Sequence, residues 1–331
     1  MLIPGLENIK HFPLLLAPME DVTDPSFRFM CKKFGADLVY TEFISSDGLI
    51  RDGKKSVQKL DIFDYERPIG IQLYGHIPES MTEAARIAEK ASPELIDINY
   101  GCPVKKIANR GAGAGMLRNV PLMREITRSV VQATRLPVTV KTRLGWDNDS
   151  KNIIEVALQL QDDGIKAITI HGRTRNQMYL GKADWTLIGK LKDHSSFKLP
   201  VIGNGDITSP EIAKQKIEET GVDGIMIGRA AVGRPWIFRE IHHYLKTGEI
   251  LPPPTLEEKV AIGKEHFFKS LQFKGNIKGI FEMRRHFVHY FKGLPDFREV
   301  KIRLLTSTNE EEILSILDEI EEKYAGFVPG I

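Results

Sequence analysis

Only two of the 331 residues are cysteines, and they stand in different company. Cys31 lies inside FRFMCKKFG, a helical pattern in which a thiol packs as a small hydrophobe. Cys102 lies in ELIDINYGCPVKK, directly after a strand-like run, with Gly101 and Pro103 setting an exposed turn around it. Packing, metal binding, electron transfer and proton transfer are the jobs open to such a thiol. Two cysteines so far apart give no zinc spacing, no disulfide framework and no CxxC pair, so neither a metal centre nor a redox couple is expected. Proton transfer suits a thiol well. With an ordinary pKa of about 8.5 it is mostly protonated at neutral pH yet gives up its proton readily, whereas a carboxylic acid is already ionised and an ammonium holds on too tightly.

Other polar residues end further apolar runs: Ala17-Pro18-Met19, Gln72, Asn99, Lys141 with Arg143, His171-Gly172-Arg173, Asn204-Gly205-Asp206 and Gly228-Arg229. The glycines of the last two groups, with Arg229 beside them, are the residue types that let backbone N–H groups close on an anion. Lys141 sits within VTVKTRLG, a buried-strand pattern. A buried ammonium needs a partner, either a carboxylate such as Glu42 or Asp97 or a bound group. GAGAG, residues 111–115, follows no strand directly and lacks dinucleotide-binding context, so it reads as a flexible loop.

These groups need elements to hold them together. Apolar, β-branched runs recur at Leu14–Met19, Asp37–Phe43, Pro68–Tyr74, Glu94–Asn99, Pro137–Arg143, Ala167–Gly172, Pro200–Gly205 and Gly224–Gly228. Most are continuous rather than alternating, as in parallel strands buried on both faces. Helical patterns lie between them, several ending at a glycine such as Gly35, Gly164 or Gly221. Eight such units predict an α/β fold, a (β/α)8 TIM barrel over residues 1–241, with the polar set at its strand ends. An open doubly wound sheet would carry glycines in its first turn, and APMEDVTDPSF has none. LKTGEILPPPT marks a linker over 242–255, and residues 256–331 read as a small C-terminal helical domain.

The net charge of +2 conceals an uneven distribution. Lys274–Arg303 carries eight basic residues against three acidic ones, while the chain after it carries seven acidic residues against Lys323. FEMRRHFVHYFKGLP interleaves aromatics with cations. Phe281, Phe287, Tyr290 and Phe291 are expected in a helical core, and the cations are expected to meet phosphates. No apolar run approaches the ~20 residues of a membrane helix. With Glu7 early and Pro18 breaking the first apolar run, no signal peptide is expected, and the cytoplasm is the expected location.

LAPMEDVTDPSFR, DINYGCPVKKI with GAGAGMLRN, VKTRLGWD, ITIHGRTR with a following tyrosine, VIGNGDI and IMIGRAAVGRPWIF resemble the motifs of the tRNA-dihydrouridine synthases. The similarity runs in family order over essentially the whole chain and is closest to the bacterial B-type subgroup. It implies an FMN-dependent enzyme that uses NADPH to reduce the C5=C6 bond of selected tRNA uridines; a monomer is expected. By resemblance Cys102 is the catalytic acid, giving C5 its proton while reduced flavin gives C6 a hydride. Ala17, Pro18 and Met19 lie against the flavin, and Gln72 and Lys141 contact its ring, where an ammonium favours the anionic reduced form. His171, Asn204, Gly205, Asp206, Gly228 and Arg229 hold the ring edge, ribityl chain or phosphate. Asn99, Arg143 and Arg173 face the substrate, and Arg284 and Arg285 meet tRNA. The GAGAG loop becomes a mobile segment that positions Cys102 and admits a flipped base. A dihydroorotate-dehydrogenase-like flavin enzyme acting on a free pyrimidine would explain the thiol but not the basic tail. A non-catalytic RNA-binding protein would explain the tail but not the strand-end set.

Overall fold

The computed structural model describes residues 2–327; Met1 and the last four residues of the expected helical domain, 328–331, lie outside the described residues. Nine short parallel strands form one sheet: β1 Leu14–Leu16, β2 Val39–Tyr40, β3 Ile44–Ser45, β4 Ile69–Tyr74, β5 Leu95–Asn99, β6 Val138–Arg143, β7 Ala167–His171, β8 Val201–Asn204 and β9 Gly224–Ile227. The hydrogen-bonded order is β1-β9-β8-β7-β6-β5-β4-β2, with β3 also on β4. The second expected run, Asp37–Phe43, holds only β2, and β3 is an additional strand just beyond its end: Val39 pairs with Ile69 and Ile44 with Leu73. The ring closes where β1 meets the start of the second run, at the single bridge Leu15↔Leu38. There Leu16 N–H bonds Leu38 O at 2.9 Å and Asp37 N–H bonds Leu14 O at 2.8 Å. The result is the expected parallel barrel ringed by helices.

The strands are buried along nearly their whole length, which explains their unbroken apolar pattern. Helix ends follow sequence chemistry. Asp24 caps the helix Pro25–Lys33, its carboxylate accepting from Phe27 N–H, with proline in the first turn. Gly221 stops the helix Pro210–Thr220 in the left-handed region, at φ 61°. The last barrel helix spans Ile237–Thr247 and stops at Gly248, so it runs past the expected boundary at 241 and shortens the connector.

Thr255 then opens the tail with a reciprocal cap to Glu258. Helices Leu256–Lys274, Asn276–Tyr290, Arg298–Thr306 and Glu310–Lys323 share a core that includes Phe267, Phe287, Tyr290, Phe291 and Ile316. Met30, Phe34 and Trp236 of the barrel complete that core. Phe281 departs from expectation. It is 48 % exposed, with the Arg284 guanidinium 4.4 Å from its ring. Among the described residues no helix is long and apolar enough to cross a membrane.

Candidate active site

A cavity of about 680 Å³ opens at the C-terminal ends of the strands, within the size range of small-molecule sites. Thirteen sequence-predicted residues line it: Ala17, Pro18, Met19, Asn99, Cys102, Lys141, Arg143, His171, Asn204, Gly205, Asp206, Gly228 and Arg229. They come from strand ends far apart in sequence, and barrel closure brings them together.

Cys102 is only 6 % exposed, so its turn is not the exposed one expected. The glycine segment is also not the open loop expected over its whole length. Residues Gly113–Arg118 form a short buried helical turn packed under the thiol. Ala114 N–H bonds Cys102 O at 3.0 Å. Gly113 has φ 53°, and a Cβ there would lie 3.1 Å from Cys102 Cβ; one on Gly115 would lie 2.3 Å from Ala108 O. Gly113 and Gly115 are there for close packing, whereas Gly111, at φ 82°, has open space around it. Burial pushes the Cys102 thiol up, and the nearby Arg143 and Lys141 cations only partly oppose it, so the thiol is protonated at neutral pH.

A chain of side chains holds that turn. Asn99 Oδ1 accepts from Gly101 N–H (2.9 Å) and Cys102 N–H (2.8 Å). Its Nδ2 donates to Gln72 Oε1 at 2.8 Å, and Gln72 Nε2 donates to Asp97 Oδ2 at 2.6 Å. Thr139 Oγ1 donates to Asp97 Oδ1 at 2.5 Å. Each donor fixes the polarity of the next group. Gln72 thus points into the barrel interior, fully buried with both amide ends engaged, and is not in the cavity wall as expected. Burial pushes the Asp97 carboxyl up to about 6.

Lys141 donates to Asn204 Oδ1 at 3.2 Å, and Asn204 Nδ2 in turn bonds Met226 O. Among the described residues no ion pair joins Lys141 to Glu42 or Asp97: Glu42 accepts from Asp21 N–H, and Asp97 accepts from Gln72 and Thr139. Burial, and next the Arg143 charge, bring its pKa down to about 8. Burial and the same group of cations keep His171 neutral. Its Nε2 faces Arg173 Nη1 at 3.3 Å, and a guanidinium only donates, so the ring proton belongs on Nδ1.

Gly205, at φ 126°, has no space for a side chain: a Cβ would sit 2.7 Å from Ala183 Cβ and 3.0 Å from His171. Asp206 accepts from Arg173 Nη2 (2.6 Å), Ala183 N–H (2.8 Å) and Arg229 Nη2 (3.1 Å). Burial works against its charge, but the bonds from Arg173 and Ala183 outweigh it and hold the carboxyl below its usual range. Arg173 was expected to face substrate. It is instead a buried brace, also bonding Leu180 O and Gly181 O. Arg143 lines the cavity but its guanidinium is tied to Gly101 O, Thr174 O and Met178 O.

Tyr179 was missed as a site residue. It is 52 % exposed at the cavity rim, with Arg229 4.8 Å and Arg143 5.7 Å from its ring. Its position closing the ITIHGRTR block was the available signal. Glu20 was missed too. It lines the cavity and pairs with Lys59 at 2.5 Å.

In the tail the basic residues divide. Lys274 is buried between Asp24 and Glu282 and does not face solvent. Arg303 pairs with Glu319, and Arg284 bonds the carbonyls of Thr306 and Ser307 at the end of a helix. Arg285 and His289 are exposed on the helix Asn276–Tyr290, and Lys292 is exposed in the turn that follows it. His289 packs so tightly on Gly233, in the loop after β9, that a Cβ there would lie 2.2 Å from His289 Cβ. That contact ties this part of the tail to the segment that follows Gly228 and Arg229 of the cavity.

The dihydrouridine synthase (Dus) family model matches residues 15–325. The chain belongs to the dihydrouridine synthase family. Relatives within this family include tRNA-dihydrouridine synthase B of Pseudomonas putida, 45% identical over 88% of this chain and 86% of the relative. tRNA-dihydrouridine synthase B of Xanthomonas axonopodis pv. citri is 41% identical over 96% of each chain. A probable tRNA-dihydrouridine synthase of Rickettsia bellii is 39% identical over 95% of each. Morphinone reductase shares the dihydrouridine synthase fold at 12% identity, with TM-score 0.51 over 73% of this chain and 88% of the other. Histamine dehydrogenase from Rhizobium sp. 4-9 does so with TM-score 0.54, over 80% of this chain and 51% of the other.

Proposed function

We propose that the protein reduces the C5=C6 bond of uridines in tRNA, with FMN as its bound cofactor and NADPH as reductant, and that Cys102 delivers the proton to C5. The observation that carries this is a protonated thiol, on a turn hydrogen-bonded by Asn99, at the wall of a cavity lined by Lys141, Gly205, Gly228 and Arg229.

The residues present fit FMN. Lys141 is an ammonium bonded to an amide oxygen, suited to an electron-rich ring edge. Gly205, Gly228 and the half-exposed Arg229 form a corner suited to a phosphate, the usual position of that group after the last two strands of such barrels. Neutral His171 and Asn204 would hold the ring edge, with Ala17, Pro18 and Met19 against its face. When bound and reduced, FMN supplies the hydride.

The chain's own residues do the rest. Uracil is an enone, so addition at C6 places negative charge on C5 and O4, and C5 must take a proton. Cys102 Sγ gives it, and the thiolate left behind is stabilised by the Arg143 and Lys141 charges. Solvent then reprotonates the thiol. Asn99 positions the Cys102 turn. Tyr179 offers a stacking face to a base drawn out of the tRNA fold, and Arg285 and Lys292 meet its phosphates. Residues 256–331 are the tRNA-binding part of a cytoplasmic, monomeric enzyme.

The test is direct. The purified protein should carry a yellow chromophore, and after anaerobic reduction by NADPH unmodified tRNA should reoxidise it. Reoxidation by orotate but not by tRNA would overturn the proposal.

A further inference from the structure

Away from the cavity, three side chains meet at the seam where the barrel closes. His11 precedes β1, Asp37 precedes β2, and His242 lies on the last barrel helix. His11 Nε2 is 2.7 Å from Asp37 Oδ1, and His242 Nε2 is 3.3 Å from Asp37 Oδ2. The three ligand atoms lie within 4.8 Å of one another, and the two imidazole centroids are 4.6 Å apart at 87°.

The hydrogen-bond count there is uneven. His242 Nε2 faces two acceptors, Asp37 Oδ2 and Gly35 O at 2.9 Å, yet one ring nitrogen has one proton to give. A cation at that point would satisfy both oxygens and the nitrogen. Leu14 N–H bonds Asp37 Oδ2 from behind at 2.8 Å, the kind of outer contact that orients a ligating carboxylate. Lys32 bonds the Asp37 main-chain carbonyl, not the carboxylate. Gly35, at φ 98°, brings its carbonyl close to the imidazole. His11 is half exposed, which gives an ion a way in.

We propose that His11, Asp37 and His242 form a binding site for a divalent transition-metal ion of the zinc class. Two imidazoles and a carboxylate suit such an ion, with Gly35 O or water completing its shell. Metal–nitrogen bonds of about 2.0–2.1 Å put adjacent tetrahedral ligands about 3.3 Å apart, so only small side-chain shifts are needed. The role is structural. The ion ties the segment before β1 to the segment before β2 and to the last helix, across the one-bridge seam.

The probe is Co²⁺, added to chelator-treated holoenzyme without a histidine tag. Visible d–d absorbance should saturate at about one ion per chain, and Zn²⁺ should displace it and raise Tm. His11→Ala and His242→Ala should each weaken Co²⁺ binding by more than about tenfold and abolish the Zn²⁺-dependent rise in Tm. Both variants should keep native circular dichroism and unaltered activity, because neither residue touches the cavity. No saturable Co²⁺ binding by the parent protein, or equal binding by either variant, overturns the site and leaves a hydrogen-bonded cluster.

Discussion

The chain Thr139–Asp97–Gln72–Asn99 has a direction, and that direction can be reversed. Asn99→Asp keeps an acceptor for the Gly101 and Cys102 N–H groups but turns a second oxygen toward Gln72 Oε1. If Gln72 flips to donate, its Oε1 then meets the Asp97 carboxylate. Either way one buried acceptor pair faces itself, at about 1–3 kcal/mol, and a second buried negative charge is added. We expect a loss of about 2–4 kcal/mol in urea unfolding at pH 7.5 and impaired tRNA reduction. Adding Asp97→Asn reverses the two bonds that Gln72 makes. The new amide at position 97 donates to the flipped Gln72, which donates to the new carboxylate at position 99. The amide oxygen at position 97 still accepts from Thr139. The double variant should recover at least half of the lost stability. Acid should also help the single variant. Asp97 already titrates at about 6 in the fold. With a native pKa above the unfolded value, the native state binds the proton more tightly, so stability rises as pH falls from about 6 to about 4. A double variant no more stable than Asn99→Asp would refute the relay.

Cys102→Ala should keep bound flavin and NADPH oxidation but lose tRNA reduction by about 10²–10⁴-fold, read in single turnover; retained activity would remove the proton-donor role. Because burial raises the Cys102 thiol, the alkaline limb set by the proton donor should lie above the ordinary thiol range and, in Cys102→Ala rescued by an external acid, should move to the pKa of that acid. Gly205→Ala puts a side chain at φ 126° and 2.7 Å from Ala183, so the purified protein should retain less flavin. Arg285→Glu with Lys292→Glu should weaken tRNA binding and flatten its dependence on salt, with flavin content unchanged. Arg284→Glu should instead lower Tm, because its guanidinium holds the Thr306 and Ser307 carbonyls.

The barrel was legible because buried parallel strands write unbroken apolar runs and their helices stop at glycine. The two-residue strand β3 was not: it follows the second run by a few residues and is defined by its pairing with β4, which β2 also pairs with. Residue type placed thirteen residues at the cavity but could not say what each touches. Gln72 and Arg173 have the right chemistry for ligands and were turned inward by partners supplied from other strands and loops. Lys274 counted as a surface cation in sequence, yet two carboxylates, one of them far away in the chain at Asp24, draw it inside. The GAGAG segment looked mobile because glycine is compatible with both freedom and tight packing, and sequence does not distinguish them.

That buried lysine also determines where the chain can be cut. Asp24 caps the helix that follows β1, and the same carboxylate takes the Lys274 ammonium, while Ser26 and Tyr290 flank His266 between them. The proline-rich connector is thus a boundary in sequence but not in cohesion. A protein ending at the connector would strand a capped helix without its counter-ion and bare Met30, Phe34 and Trp236 to water. Exchange of tails between relatives would have to carry matching residues at positions 24, 26, 30 and 34.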